Sequence, residues 1–415
     1  MTKNYKITFS EDKDDFSFKT ETEFLEWAFS NKDILENGSF SFESKIDNID
    51  GQRIEKVLAF LKYYISIKRK CNVFMNDYNR SLLGGNYNEE VQKAIEEFVR
   101  VNDNGKFLRA ALIGLGYKAF CDDDSFLDLA MAIEVFQTSI LIHDDIIDKA
   151  TIRRGMDTIE EAYNKYYNQL DSDDFVIKRN SVSSSMALCT GDLGFYLAEE
   201  IIVNGYKNNK NLSDILSYYH QMVIKTCYGE MIDVMLPFKE EFFGTDINLE
   251  EKIMEIYKLK TAWYTVIGPY CLGLTLAGAD KSRVSEMEKI LLDVGVAFQI
   301  KDDLLGIYGD DKHLGKSTNS DIEEYKQTIL YSYVMKTKHK DELLKYYGKP
   351  NLTISEINEV KNIFDKSGSR NYAEKIMIDL FESSLKAIEK ISWLNEKSKH
   401  VLLGFIIYLQ NRTKW

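Results

Sequence analysis

The segment LIHDDIIDKATIRRG, residues 141–155, combines an acidic triad with two adjacent arginines. Apolar residues recur at spacings of three or four positions through residues 126–142, which predicts a buried helix that leads to the triad. Side chains at such spacings lie on the same side of a helix, so the carboxylates are expected to project to roughly one side. The acidic residues and the arginines are Asp144, Asp145, Asp148, Arg153 and Arg154.

An acidic triad at the end of an apolar helix is costly unless a positive charge meets it. No lysine or arginine occurs within the triad, so a divalent metal ion is the natural counter-charge. A set of oxygen ligands favours magnesium, which usually bridges to the phosphates of a substrate, and the arginine pair would bind those phosphates. In isolation, the triad is equally typical of a surface helix end, and His143 is interpreted as a partner of the carboxylates rather than a metal ligand.

Composition limits the class of protein. The 415 residues carry a formal charge of −13, from 53 basic and 66 acidic side chains, which argues against nucleic acid as the partner. Only 3 prolines occur, and this scarcity favours long helices and an all-α fold. The 5 cysteines are scattered, which indicates a reducing cytoplasm, and no apolar run approaches the roughly 18 residues of a membrane span.

The domain organisation is predicted from a change in character near residue 55. Residues 1–55 are polar and charged and are interpreted as an extension of unknown role, with Trp27 as a candidate contact to the core. Residues 56–415 predict successive helices and a single domain, and no strand-like alternation with turn residues is sustained anywhere. The polar segment 162–180 is predicted to be a surface insertion.

A second acidic motif, FQIKDDLLG at residues 298–306, follows the apolar run ILLDVGVAF. A second apolar helix is therefore predicted to end in paired aspartates, Asp302 and Asp303, although Gly306 stands where a further carboxylate would complete the motif. Lys316 follows and is suited to bind phosphate. Two such helix ends facing each other would hold a magnesium–diphosphate cluster over an apolar cavity.

A basic pair precedes both acidic motifs. Lys106 and Arg109 lie three positions apart where an apolar helix begins, and a helix N-terminus with two cations is a suitable diphosphate site. A solvated helix start is the alternative interpretation.

Two further polar groups are less specific. Glu230 and Asp233 share a helix face by their spacing and are either additional metal ligands or a polar surface. Lys260 and Thr261 are predicted to open an apolar helix that contains Pro269, where they would bind phosphate or mark an amphipathic boundary.

Taken in order, these motifs resemble those of the trans-isoprenyl diphosphate synthases, the family of farnesyl and geranylgeranyl diphosphate synthases. The resemblance covers roughly residues 56–415. Departures from the family pattern are Asn104 and Ala110 beside the basic pair, and Gly306 in the second acidic motif. The matching segments are GKxxR at 105–109, EVFQ at 134–137, the segment 141–155, GDL at 191–193, GExxD at 229–233, KTAWY at 260–264 and FQIKDDLLGIYGD at 298–310.

The resemblance implies a single large bundle of long helices around a deep central cavity, usually as a homodimer. It implies a magnesium-dependent prenyltransferase that condenses isopentenyl diphosphate with an allylic diphosphate (dimethylallyl, geranyl or farnesyl diphosphate). Three magnesium ions are expected on Asp144, Asp145, Asp148, Asp233, Asp302 and Asp303. The residues expected to bind substrate are Lys106, Arg109, Gln137, Arg153, Arg154, Lys260, Lys316 and Arg412. The catalytic residues would be Lys260, Thr261 and Gln299, with oxygen dipoles of the last two facing the carbocation.

Product length is predicted from the helix before the first triad. Ile140 and Ser139 stand four and five positions before Asp144, where farnesyl-type members of the family carry an aromatic ring. Phe136 lies one turn deeper and is a candidate floor of the cavity, or else an ordinary core residue. The product is therefore predicted to exceed fifteen carbons, with geranylgeranyl diphosphate as the best interpretation.

Two other functions fit parts of the pattern. A class I terpene cyclase shares the helical fold and metal chemistry, but it would need no second diphosphate site and would leave the basic pair idle. A non-catalytic subunit that modulates a synthase would tend to lose aspartates that this chain keeps.

Overall fold

The computed structural model describes residues 5–9, 15–18, 27, 40–44, 49–103, 105–168, 176–238, 248–309 and 320–412. Helices dominate these residues, which confirms the prediction of an all-α fold. The α-helices are α1 (Ile49–Leu83), α2 (Glu89–Asn102), α3 (Leu108–Tyr117), α4 (Leu127–Ile147), α5 (Ile159–Asn168), α6 (Val176–Tyr206), α7 (Leu212–Met235), α8 (Leu249–Ile256), α9 (Gly268–Leu276), α10 (Lys281–Tyr308), α11 (Ser320–Glu323), α12 (Ile329–Val334), α13 (Lys340–Leu343), α14 (Ile354–Ser367), α15 (Ser369–Glu389) and α16 (Glu396–Asn411). A 3₁₀ turn (Leu236–Phe238) follows α7, and a π-helix (Tyr257–Ile267) joins α8 to α9.

The helix α4 is central to the bundle. Its residues are buried on nearly every side, as expected for a helix whose sequence is apolar all round until its last turn. It packs on α6, α3 and α2, while α9 packs on α3 and α16 on α1. On the other side of the bundle, the π-helix packs between α7 and α10, and α10 also contacts α15. Buried residues of α4 and α10, the helices that carry the two acidic motifs, therefore belong to one hydrophobic core.

The N-terminal residues contain strands, so the prediction that strands are absent was wrong for this part of the chain. β1 (Tyr5–Phe9) pairs antiparallel with β2 (Asp15–Phe18) and β3 (Phe40–Ser44), in the order β2-β1-β3. Each strand is only four or five residues long, too short for a sustained alternation to stand out in the sequence. Trp27 packs against the hydrophobic core, and α1 begins at Ile49 rather than after residue 55.

The segment 162–180, predicted to be a surface insertion, is helical where the structure describes it. Its first part belongs to α5 and its last part to α6, while residues 169–175 lie outside the described residues. Tyr163 of α5 is fully buried, because α5 packs along α6. The polar composition therefore marks the outer face of a packed helix.

The π-helix also differs from the sequence prediction, in which Lys260 opened a helix. Lys260 lies instead within the wide π-turns, and the N–H of Gly268 bonds to the carbonyl of Trp263, five residues earlier. Gly229 of α7 faces the backbone of Lys260 so closely that a Cβ at that position would overlap it. Such π-segments are uncommon and are frequent at functional sites, because they displace side chains from the ordinary helical positions.

Candidate active site

The first acidic triad lies at the C-terminal end of α4. Asp145 is buried, Asp144 is half-buried and Asp148, the C-cap residue, is exposed. Two short paired strands, β4 (Ile152–Arg153) and β5 (Met156–Asp157), then turn the chain back toward the triad. This hairpin brings Arg153 into contact with the triad, whereas the charged neighbours of Arg154 include Glu134 and Arg109.

Arg153 contacts two carboxylates of the triad at once. One guanidinium N–H donates to Asp144 Oδ2 at 2.6 Å, and the Nε–H donates to Asp145 Oδ1. Burial alone would lower the pKa of Arg153, but the charges of Asp144 and Asp145 outweigh burial and raise it. The sequence showed no cation within the triad, whereas the folded hairpin supplies one.

Lys260 joins the triad to α7. Its Nζ lies 2.8 Å from Glu230 Oε2, 2.8 Å from Asp233 Oδ2 and 3.8 Å from Asp144 Oδ1. Burial alone would lower the pKa of Lys260, but these carboxylates outweigh it and raise the pKa above its ordinary value. The structure thus joins Lys260 and Asp144 to the pair Glu230 and Asp233, which the helical spacing had already placed on one face.

The second acidic motif lies inside α10, which continues to Tyr308, so the predicted helix end at the aspartate pair was wrong. The helix continues because Leu304 and Ile307 extend its buried face beyond the pair. Asp302 forms an ion pair with Arg412, which follows α16 and is only 3% exposed. Burial raises the pKa of Asp302 to about 7, although the Arg412 charge opposes this shift.

Arg412 is held from a second side as well. Its guanidinium carbon lies 4.2 Å from the centroid of the Phe298 ring, one helical turn before Asp302. Cation–π contacts of this kind are most favourable when the cation is desolvated. The C-terminal arginine is therefore fixed at the second acidic motif in this structure.

Asp303 has different surroundings from its neighbour. It is 1% exposed and accepts hydrogen bonds from the Tyr257 hydroxyl and from Gln299 Nε2, the latter at 2.8 Å. Burial raises the pKa of Asp303 to about 6. Thr261 Oγ1 in turn donates to Gln299 Oε1 at 2.6 Å. The predicted catalytic residues Thr261 and Gln299 thus form one chain of hydrogen bonds that ends at the acidic motif.

A second group of basic residues has partners other than the carboxylates of the first triad. Arg109 donates to Gln137 Oε1 at 2.5 Å and to Thr265 Oγ1 at 2.9 Å, and its guanidinium stacks 3.9 Å from the Tyr264 ring centroid. Arg154 is half-buried, and burial lowers its pKa. This group is distinct from the cations that contact the carboxylates of the triad.

Glu134 is a buried carboxylate to which the sequence assigned no role. It accepts the backbone N–H of Ala110 at 3.0 Å, so it satisfies a donor at the beginning of α3. Burial raises its pKa, while the nearby charges of Arg109 and Arg154 lower it. A glutamate within an otherwise apolar helix was the available signal, since a buried charge requires partners.

The candidate product-length residues differ in exposure. Phe136 is 1% exposed, with ring centroids of Phe195, Tyr219 and Tyr264 at 5.5, 5.7 and 5.7 Å. Ser139 is fully buried and Ile140 is half-buried. Phe136 therefore belongs to an aromatic cluster that joins α4, α6, α7 and the π-helix.

The predicted substrate-binding residues also include Lys106, which the structure describes, and Lys316, which it does not. Lys106 is exposed just before α3, close in sequence to Arg109. Lys316 lies outside the described residues. Asp321 and Lys326, which follow the second acidic motif in the sequence and belong to the segment DIEEYKQT that resembles the family, form an ion pair, with Lys326 Nζ 3.6 Å from Asp321 Oδ1.

The carboxylates suit metal ions chemically but are not preassembled as a cage. Within the described ranges, no three acidic, histidine or cysteine side chains are gathered closely enough to hold a metal ion. Basic side chains of the protein contact these carboxylates instead: Arg153, Lys260, Lys326 and Arg412. These ion pairs show that the site attracts positive charge, and its oxygen donors are those that magnesium prefers.

Membrane-spanning character is absent from the helices that the structure describes. None of them combines the length and the apolar composition needed to cross a bilayer.

The helical bundle, with two acidic motifs and two groups of basic residues, has the all-α isoprenoid synthase fold. Within that class, the chain belongs to the polyprenyl synthetase family, whose model matches residues 88–364. This match confirms the resemblance that the sequence motifs indicated.

Relatives and solved structures agree with this assignment. The chain is 29% identical to the short chain isoprenyl diphosphate synthase of Methanocaldococcus jannaschii over 63% of this chain and 73% of the relative. It is 25% identical to the geranylgeranyl diphosphate synthase of Sulfolobus acidocaldarius over 77% and 89% of the two chains. Its fold is similar to a geranylgeranyl pyrophosphate synthase of Corynebacterium glutamicum complexed with isoprenyl diphosphate and magnesium, with a TM-score of 0.69, 22% identity and coverage of 88% and 99%.

Proposed function

We propose that this chain is a trans-prenyltransferase that condenses isopentenyl diphosphate with an allylic diphosphate to give a product longer than fifteen carbons. Geranylgeranyl diphosphate is the preferred product in this proposal, and residues 56–415 are the synthase domain. The observation that carries it is the presence of two separate basic groups. Arg153 and Lys260 contact the carboxylates, whereas Arg109 contacts Gln137. Two groups of basic residues could bind two diphosphates, whereas a cyclase binds one diphosphate and would need only one such group.

The allylic diphosphate is assigned to the acidic side of the site. Magnesium ions there, three in this proposal, would supply positive charge that stabilises the departing diphosphate by several kcal/mol. Arg153 and Lys260 would then exchange carboxylate partners for phosphate oxygens, keeping charge-assisted hydrogen bonds throughout. The carboxylates proposed to hold the ions, directly or through the groups that they orient, are Asp144, Asp145, Asp148, Asp233, Asp302 and Asp303.

The two acidic motifs are proposed to contribute unequally. Asp144 and Asp148 are open enough to ligate an ion, while Asp145 and Asp303 are buried and would orient neighbouring groups. Asp303 would fix the amide of Gln299 through its hydrogen bond. Such supporting contacts commonly determine the orientation of metal-site residues.

Isopentenyl diphosphate is assigned to the second basic group. Arg109 is held in place by Gln137, Thr265 and the Tyr264 ring. Its side chain therefore loses little conformational entropy when it binds phosphate. Arg154 lies close enough to Arg109 for their charges to interact, and Lys106 precedes Arg109 by three positions. Both would complete this subsite, with Arg412 and Lys316 as further proposed contacts.

The bond changes balance without a protein base. The allylic C–O bond breaks with its electron pair on the diphosphate, and the isopentenyl double bond forms the new C–C bond to the allylic carbon. A proton then leaves the resulting cation, and the released diphosphate accepts it. Thr261 and Gln299 would direct oxygen dipoles at the cationic carbons, where charge develops in the transition state.

A homodimer in the cytoplasm is also part of the proposal. Large apolar side chains are exposed on α6 and α7, among them Tyr196, which is 72% exposed, and Met231, which is 58% exposed. Contiguous exposed apolar surface commonly marks a protein interface. The five cysteines are free thiols, which suits a reducing compartment.

The test of the proposed function is a product assay. The full chain is incubated with magnesium, isopentenyl diphosphate and each allylic diphosphate in turn, and the products are sized after dephosphorylation. We expect alcohols longer than fifteen carbons. A cyclised hydrocarbon from a single substrate would instead identify a terpene cyclase, and turnover only after addition of a partner synthase would identify a modulating subunit.

Phe136→Ala is expected to lengthen the product by one or more isoprene units. Removing the ring opens the aromatic cluster formed with Phe195, Tyr219 and Tyr264, and an isoprene unit needs about the length of one helical turn. The measurement is the product distribution. Tyr167→Ala, in another aromatic pair on α5, is the matched control. An unchanged distribution would make Phe136 an ordinary core residue.

Arg412→Gln is expected to lower the melting temperature in EDTA. It is also expected to increase the rise in melting temperature that magnesium causes. The substitution leaves Asp302 without its buried guanidinium partner, a change worth about 3 kcal/mol in unfolding free energy. Magnesium then meets Asp302 without a competing cation. The measurement is the melting temperature in EDTA and in magnesium.

The control is Arg370→Gln, which removes a half-buried arginine that pairs with Glu374 at 2.9 Å and lies over the Tyr308 ring. Surface pairs of this kind contribute about 0–1 kcal/mol, so both melting temperatures should stay close to those of the wild type. If Arg412→Gln shifted the two melting temperatures equally, Arg412 and magnesium would not compete for Asp302.

A further inference from the structure

The long helix α1 is bonded to the segment that joins α2 to α3, and this segment carries Lys106. The proposed function assigns Lys106 to isopentenyl diphosphate. In the chain, α1 precedes every motif from which the site residues were predicted. Its side chains therefore have no role assigned by the motifs or by the resemblance.

The backbone turns sharply just after Lys106. Phe107 has a φ of 57°, in the left-handed region that a bulky residue rarely adopts, and its side chain is only 1% exposed. The Phe107 carbonyl accepts the N–H of Ala111 at 3.0 Å, at the beginning of α3. An unfavourable backbone conformation of this kind persists only where the surrounding contacts hold it.

Tyr64 of α1 supplies a hydrogen-bond donor for the carbonyl of Lys106. In a regular helix that donor would be the N–H four residues later, which belongs to Ala110. The Ala110 N–H donates instead to Glu134 Oε1 at 3.0 Å. The hydroxyl of Tyr64 donates to the Lys106 carbonyl, and this bond ties the backbone at Lys106 to α1.

The ring of Tyr64 is itself fixed by aromatic contacts. Tyr64 is buried, and its ring stacks on that of Phe60, one helical turn earlier, with the centroids 5.9 Å apart. The Phe60 ring lies in turn 5.3 Å from Phe405 and 5.2 Å from Tyr408 of α16. Because such ring pairs are stabilising, the Tyr64 hydroxyl is presented by a rigid part of the bundle.

The beginning of the same segment is also bonded to α1. Asn79 Nδ2 donates to Asp103 Oδ1 at 2.6 Å, and Asn102 Nδ2 donates to Asn79 Oδ1 at 3.0 Å. The hydroxyl of Thr138 donates to Asn102 Oδ1 at 2.6 Å, so this buried network also includes α4. Buried polar groups that have partners make a structure rigid. The segment is thus held by α1 at its beginning and again at Lys106.

We propose that Tyr64 is a positioning residue for isopentenyl diphosphate, because its hydroxyl fixes the backbone from which the Lys106 side chain extends. This inference rests on the proposed function, which places isopentenyl diphosphate at Lys106 and Arg109. Ordering a flexible segment costs free energy on binding, so a segment that α1 already holds increases the affinity. The hydroxyl touches no reacting atom, and its loss should therefore affect KM for isopentenyl diphosphate rather than kcat.

Tyr64→Phe tests this inference on the full chain, since it removes the hydroxyl and keeps the ring. We expect KM for isopentenyl diphosphate to rise about fivefold, as the loss of one neutral hydrogen bond would predict. Both kcat and KM for the allylic substrate should stay unchanged. The measurements are initial rates with each substrate varied at saturation of the other, together with the melting temperature of each variant.

Tyr63→Phe is the matched control. The hydroxyl of Tyr63 donates to the carbonyl of Ala111 at 2.9 Å, which lies inside α3 rather than at Lys106. This control should lower the melting temperature about as much as Tyr64→Phe and leave both KM values unchanged.

A double-variant cycle shows whether Tyr64 acts through Lys106. Lys106→Gln removes the ammonium group, so Tyr64→Phe should raise KM for isopentenyl diphosphate much less in that background than in the wild type. Residues that act through one contact are non-additive in this way, whereas independent residues are additive.

Three results would overturn the inference while leaving the proposed function intact. In the first, Tyr64→Phe lowers only the melting temperature, so that the hydroxyl merely stabilises the fold. In the second, Tyr63→Phe raises KM for isopentenyl diphosphate equally, so that any loosening of α1 has this effect. In the third, the effects of Tyr64→Phe and Lys106→Gln are additive. If the wild type itself condensed no isopentenyl diphosphate, the proposed function would fail and this inference with it.

Discussion

Asp144→Asn is expected to lower kcat by roughly three orders of magnitude, about 4 kcal/mol in the activation free energy. Asn keeps the size of the side chain but removes the negative charge that faces both Arg153 and Lys260. A carboxylate that binds a metal ion matters most when charge develops on the leaving diphosphate, so turnover should fall more than substrate affinity. The measurement is steady-state kinetics with both substrates varied.

Asp157→Asn is the matched control for Asp144→Asn. Asp157 lies in β5 of the same hairpin and pairs with Lys165 at 2.7 Å on the surface. Because exposed ion pairs contribute little, its kcat should remain within about twofold of the wild type. The kcat of Asp145→Asn should lie between those of Asp144→Asn and Asp157→Asn, since Asp145 is buried against Arg153. Near-normal turnover in Asp144→Asn would remove the triad from the chemistry.

The sequence predicted the first acidic motif well because its signal is local. The apolar residues of α4 recur at helical spacing up to Ile142, and the structure ends α4 at Ile147, one residue before Asp148. The same reasoning failed at Asp302, because the helix continues past the pair. Apolar residues on both sides of a charged pair are compatible with either outcome, and only packing on α15 and the π-helix decides between them.

The charge balance of the site could not be predicted, because it depends on contacts between distant parts of the chain. Arg412 meets Asp302 across 110 positions, and Lys260 meets Asp233 across 27. The absence of a cation within the triad correctly indicated a need for positive charge. It could not show that lysines and arginines from distant parts of the chain contact these carboxylates.

Two glycines of the sequence motifs lie where another part of the chain packs closely, which the motifs alone did not reveal. Gly229 is required because the backbone of Lys260 packs directly against it, and this contact fixes the π-helix on α7. Gly306 looked like the loss of a ligand, whereas the structure places Asp321 beside it. A glycine in a motif can indicate that another group packs closely against the backbone. The identity of that group is known only once the fold is known.

Arg109→Gln is expected to raise KM for isopentenyl diphosphate by about 100-fold, about 2.7 kcal/mol in binding free energy. Arg109 is held by Gln137, Thr265 and the Tyr264 ring, so a phosphate loses a charged and preorganised donor. KM for the allylic substrate should change little, because its proposed cations, Arg153 and Lys260, belong to the other basic group. The measurement is initial rates with each substrate varied at saturation of the other.

Two further variants make the Arg109 result specific. Arg109→Lys keeps the charge but loses the planar fork that reaches Gln137 and Thr265 together, so its KM should lie between those of the wild type and Arg109→Gln. Arg100→Gln, on α2, removes an arginine that pairs with Glu97 at 2.7 Å and should leave both constants unchanged. An equal rise in KM for both substrates would mean that Arg109 serves a single shared diphosphate site. The two-site argument against a cyclase would then fail, because a separate site for isopentenyl diphosphate is what distinguishes a condensing enzyme from one that rearranges a single substrate.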